Sequence, residues 1–79
     1  MNLITGTTQI GALLSARRKQ LDLTQEQVAS RVGLSQNRLS VLESRPESLT
    51  VGQLLALLNV LGLEMRIDAR AAVKHRSEW

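Results

Sequence analysis

At 79 residues the chain has room for one small domain, and with no cysteine it excludes a disulfide framework, a thiol nucleophile and a thiolate metal site. Ten basic residues against seven acidic give a formal charge of +3 and a pI near 10.7, which permits an acidic partner such as nucleic acid without identifying it. The absence of phenylalanine and tyrosine removes the stacking platforms of a single-strand RNA binder. No apolar run approaches the roughly 20 residues that span a bilayer, so a cytoplasmic protein is expected.

Residues 1–7 read as an N-terminal arm whose Leu3 and Ile4 are expected to pack on the body of the domain. Thr7 or Thr8 can cap a first helix with Ile10, Leu13, Leu14 and Arg17 at helical spacing. Arg17, Arg18 and Lys19 close its last turn, where cations complement the negative end of the helix dipole; the alternative use of one or two of them is a contact with phosphate.

The stretch from Thr24 to Glu43 carries the most information. Thr24 with Gln27 three residues on forms a capping box, and Val28, Ala29 and Val32 give the helix that follows one apolar face. Gly33 supplies a positive-φ stop, Leu34 turns into the core, and Ser35 caps a second short helix that buries Leu39 and Leu42. Two short helices hinged this way form a helix-turn-helix, whose second helix projects its first turn into the DNA major groove. Here that turn carries Gln36, Asn37 and Arg38. Amides suit adenine and arginine suits guanine, although three adjacent residues on a helix cannot all face one base pair. Arg38 has the alternative of a phosphate or a carboxylate, and Glu43 more readily serves the turn or an arginine than DNA.

Beyond a loop with the only proline, Pro46, Thr50 and Gln53 form another capping box. The helix they open has leucines at 54, 55, 57, 58 and 61, too apolar all round for a surface helix, and is expected to be covered on more than one side before Gly62 stops it. From residue 63 to 70 the period becomes two, with Leu63, Met65, Ile67 and Ala69 on one side and Glu64, Arg66, Asp68 and Arg70 on the other. A single strand leaves its backbone unpaired, so pairing with a second copy is expected. An antiparallel register centred on Ile67 sets Glu64 opposite Arg70 and Arg66 opposite Asp68, whereas centring on Arg66 opposes like charges. Residues 71–79 read as a flexible tail. Its Trp79 is the only aromatic residue and is either a free end or an anchor in a partner's pocket. His75, also in the tail, is the only histidine, and without a glycine-rich phosphate loop or a metal-ligand cluster neither an enzyme, a metal nor a cofactor is expected.

The residues Leu23, Thr24, Gln25, Val28, Ala29, Val32, Gly33, Leu34, Ser35, Gln36, Leu39, Ser40, Leu42 and Glu43 together resemble the Xre-like helix-turn-helix family, the group of the lambda and 434 phage repressors. The resemblance covers residues 8–62 and implies an all-α, five-helix bundle, here with one added C-terminal strand pairing across a homodimer. By that resemblance Gln36 and Asn37 match base-reading positions, and Ser35 and Ser40 match positions near phosphate or a thymine methyl. Val41 lies one turn further along the reading face, where valine departs from a polar reader. Gln25 matches a glutamine that binds phosphate and braces the one at the Gln36 position. A narrower resemblance, in the strand, the basic tail and the final Glu78-Trp79, is to HipB-like antitoxins, the partners of HipA-like kinase toxins. It implies an operator-binding, nucleoid-associated repressor that neutralises such a toxin. The alternatives are a stand-alone or phage-type regulator, and a protein-interaction module that does not read DNA.

Overall fold

The computed structural model describes residues 3–70. They form four α-helices, α1 (Thr7–Gln20), α2 (Gln25–Arg31), α3 (Gln36–Ser44) and α4 (Val51–Val60), with one short 3-10 helix, Pro46–Ser48, between α3 and α4. Three of the starts follow the expected side-chain chemistry. The Thr24 hydroxyl accepts from the Gln27 amide at 3.1 Å while the Gln27 side chain accepts from the Thr24 amide at 2.8 Å, and Thr50 and Gln53 do the same at 3.0 Å in both directions. Ser35 Oγ accepts from the Arg38 amide at 3.1 Å. The first helix differs from expectation: its cap is Gly6, not Thr7 or Thr8. Gln9 is the reason, because its Oε1 accepts from the amides of both Thr5 and Gly6, at 2.7 and 2.9 Å, and satisfies them without a threonine hydroxyl.

Three helices end alike. The amides of Leu23, Leu34 and Leu63 reach back to the carbonyls of Arg18, Ala29 and Leu58, at 3.0, 2.9 and 2.8 Å, after a residue of positive φ. That residue is Asp22 at 57°, Gly33 at 73° and Gly62 at 69°. Each following leucine turns inward and packs against the core, the apolar contact that accompanies this kind of helix end. Gly33 and Gly62 are legible in the sequence as stops. Asp22 is not, since aspartate reaches the left-handed region less often than glycine.

One cluster of buried side chains, Leu14, Val28, Ala29, Leu39, Leu57, Leu58 and Leu61, joins all four helices, and Leu42 is fully buried beside it. Helix α3 packs against both α1 and α2, and α2 touches α4. The close approach of α1 to the end of α3 depends on Gly11. A Cβ built there runs into the backbone carbonyl oxygen of Glu43 and comes within 3.1 Å of Pro46 Cγ. Gly11→Ala therefore sets a helix-propensity gain of about 1 kcal/mol against overpacking that costs about 1–3 kcal/mol, with backbone as the obstacle. A net loss of stability is expected in urea unfolding; a raised midpoint would mean that α3 yields without cost.

The expected helix count and the expected cover of α4 are corrected. The described residues hold four α-helices rather than five, because the Arg45–Thr50 connection is long enough for only one 3-10 turn, led by Pro46, which has no amide to donate. Residues 63–70 form no helix, but neither do they form a strand among the described residues, since no other described segment pairs with them. Of the four residues expected to bury one side of that strand, Leu63 packs against the core, whereas Met65, Ile67 and Ala69 are exposed. Arg66 and Asp68 share the other side at 3.9 Å, as residues two apart do in an extended chain. Helix α4 is covered on one side by the core, and its Val51 and Leu55 remain exposed. Leu3 and Ile4 lie along an apolar groove with Ile10, Leu13, Leu54 and Met65 and stay largely exposed. The tail, including His75 and Trp79, lies outside the described residues.

Candidate nucleic-acid interface

Helix α3 divides its residues by direction. At about 100° per residue, Leu39, Leu42 and Glu43 face inward, and burial follows: the two leucines are buried and the Glu43 side chain is largely shielded from water. Asn37, Ser40 and Val41 are exposed on the opposite side, with Gln36 and Arg38 on its two flanks, also exposed. Gln36 and Arg38 are separated by about 200° around the axis, so they cannot meet the same base edge. Ser35 precedes this row and uses one lone pair on the Arg38 amide, leaving its O–H to donate outward.

Behind Gln36 runs a chain of polar contacts that begins in the interior. Arg18, at the end of α1, holds the carboxylate of Glu43, near the end of α3, in two bonds: Nε to Oε2 at 2.8 Å and one terminal nitrogen to Oε1 at 3.2 Å. Its other terminal nitrogen donates to the Leu23 carbonyl at 3.0 Å. The pair is nearly closed off from water, with the side chains 11% and 9% exposed. Gln25, the first residue of α2, donates Nε2 to the same Glu43 Oε1 at 3.0 Å, and its Oε1 accepts from Gln36 Nε2 at 3.2 Å. Three helices are thus tied together just behind the exposed head of α3.

The reading of Glu43 as an arginine's partner agrees with this geometry, and so does the bracing of Gln36 by Gln25. The identity of the arginine was not legible. Arg17 has a different task, since its Nε donates to the carbonyl of Leu61 at 2.9 Å and satisfies one of the open acceptors at the end of α4. Of the three cations at the end of α1, Lys19 remains exposed, lining with Thr24, Gln25 and Gln36 a shallow depression between the end of α1 and the heads of α2 and α3. The helical period already sets Lys19 apart, about 140° around α1 from the buried Leu14, whereas Arg17 and Arg18 lie about 60° and 40° to either side of it.

Among the described residues no group of three or more histidine, cysteine, aspartate or glutamate side chains is placed to hold a metal ion, and no helix is long and apolar enough to cross a membrane. Comparison with curated proteins finds no match. A family model described as helix-turn-helix matches residues 14–67, more than half of the chain and the whole of α2, the turn and α3. The chain belongs to the helix-turn-helix family of DNA-binding transcription regulators.

Proposed function

We propose that this protein is a sequence-specific repressor that binds a pseudo-palindromic operator as a homodimer and serves as the antitoxin of a HipBA-like operon, neutralising a HipA-like kinase toxin. The observation that carries the DNA reading is the exposed amide of Gln36 at the head of α3, braced at 3.2 Å by Gln25. A braced side chain has fewer rotamers left to lose when it meets a base. In this reading Gln36 and Asn37 contact base edges, Ser35 and Ser40 sit at phosphate or a thymine methyl, Gln25 binds phosphate while bracing Gln36, Val41 meets a thymine methyl or nothing, and Arg38, on the far flank, reaches either a guanine or the backbone. Lys19 adds a phosphate contact that the sequence did not single out.

Gln36→Ala is expected to lose discrimination at one base pair by about 1–3 kcal/mol per half-site. Fluorescence anisotropy with the DNA immediately upstream of the gene, against a scrambled duplex and across a salt series, checks this. Equal weakening on both duplexes would remove Gln36 from base reading. Failure of the intact protein to prefer either duplex would favour the protein-interaction module.

Dimerisation is proposed through residues 63–70. Met65, Ile67 and Ala69 are exposed in one chain, and the alternating charges favour the register centred on Ile67. Two copies would place two α3 helices about one DNA turn apart, roughly 34–36 Å. The antitoxin role is supported by the resemblance of the strand and tail, with Trp79 proposed as an anchor on the toxin. Deleting Trp79 should weaken capture of a HipA-like kinase in a pull-down while leaving affinity for free DNA nearly unchanged. Capture that is absent with the intact chain as well points to a stand-alone or phage-type regulator.

A further inference from the structure

We propose that Glu43, which is turned away from the reading face, is a positioning residue that decides which base Gln36 prefers. The inference rests on the base-reading role of Gln36 and goes beyond it. The two ends of a glutamine amide are nearly equal in size, so a free Gln36 can turn either its oxygen or its NH2 group toward the DNA. The contacts behind it remove that freedom. An ionised carboxylate only accepts hydrogen bonds. Gln25 can therefore approach Glu43 Oε1 at 3.0 Å only with its Nε2, which leaves its oxygen facing Gln36 at 3.2 Å. Gln36 must in turn present Nε2 to that oxygen, because the reverse would set two amide oxygens against each other.

One acceptor-only group thus orders both amides, and Arg18 holds it in place through bonds of 2.8 and 3.2 Å. Gln36 is left with its Oε1 and one N–H for the groove. That pair complements adenine, which offers a donor at N6 and an acceptor at N7. Guanine offers acceptors at both O6 and N7, and the ordered oxygen would oppose one of them.

The substitution Glu43→Gln removes the acceptor-only group by the same rules. Arg18 donates to both carboxylate oxygens, at 2.8 and 3.2 Å, so an amide in that place sets its NH2 group against one Arg18 donor whichever way it turns. Neither order of the Gln25 and Gln36 amides is then enforced, and Gln36 can turn its NH2 group outward toward guanine. Gln25→Met interrupts the chain differently, leaving the Arg18–Glu43 pair in place and the Gln36 amide free to turn.

The test is an anisotropy titration of the full chain and its variants on duplex DNA from immediately upstream of the gene, with each A·T pair replaced in turn by G·C. The intact protein should show an adenine-over-guanine preference at one pair that Gln36→Ala abolishes. At that pair Glu43→Gln and Gln25→Met should each lower the preference by about tenfold, the equivalent of 1.4 kcal/mol, while preferences at other pairs persist. A purely structural role for Glu43 would weaken every duplex alike, leave the ratio at that pair unchanged and overturn the inference. If Glu43→Gln does not fold, Gln25→Met decides: an unchanged ratio overturns the inference and a lowered one supports it. Should Gln36→Ala leave the ratio intact, the base-reading role of Gln36 falls and that of Glu43 with it; should Gln36→Ala alone erase it, only the role of Glu43 is lost.

Discussion

Replacing Arg18 with methionine is expected to destabilise the domain by about 3 kcal/mol, near the lower end of the 3–5 kcal/mol seen when one partner of a buried ion pair is removed. The loss does not measure the attraction between the charges. It arises because the Glu43 carboxylate, only 9% exposed, stays where it is without its guanidinium, and because the Leu23 carbonyl loses a donor. The lower end applies because about a tenth of each side chain still reaches water, which can relieve part of the stranded charge. Urea unfolding of a domain this small is adequately described as two-state, and a loss of this size moves Tm down by roughly 12–24 °C. The pair itself need not be stabilising. The double variant Arg18→Met with Glu43→Leu should recover most of the loss, since an apolar pair of similar volume often replaces a buried ion pair at little cost. A double variant as unstable as the single one would mean that the contacts to Leu23 and Gln25, rather than the charge, carry the effect.

Leu39→Ala is expected to cost about 2–5 kcal/mol. Leu39 is 1% exposed in the cluster that joins all four helices. Helix α3 has nine residues, fewer than the roughly 12–15 at which even favourable isolated helices become marginal in water, so its order comes from its packing. Leu39 and Leu42 supply that packing on one side while exposed residues, Asn37, Ser40 and Val41 among them, occupy the other. Total stability for a domain of this length is about 4–12 kcal/mol, so the substitution removes a large share of it. Specific DNA affinity should fall in parallel as the folded population shrinks. A loss below about 1 kcal/mol in the urea experiment would show that neighbouring side chains close the cavity.

Local signals were read well because the atoms involved lie within four residues of one another. Thr24 with Gln27, Thr50 with Gln53, Ser35, Gly33 and Gly62 all act where their spacing places them. The first helix shows the limit of such reading: Thr7 and Thr8 are good caps by type, yet Gln9 reached further back and set the start at Gly6. The repeat of two after Gly62 was also legible, but strand formation is a property of a pair of segments, and the described chain offers only one.

By itself, the sequence determined the helix-turn-helix: where α2 and α3 begin, where α2 ends, which leucines α3 buries, and which polar residues are left on its first turn. Periodicity and capping settle these because they depend on neighbours along the chain. Only the tertiary structure decided that Arg18 rather than Arg17 meets Glu43, that Arg17 closes α4 instead, and that Gly11 must lack a side chain where α1 passes the end of α3. Those contacts join residues between 25 and 44 positions apart in the two arginine pairs. Helical period alone turns Lys19 away from the core, but at such separations it does not say which of Arg17 and Arg18 meets which partner, and that assignment follows from the angle at which two helices cross.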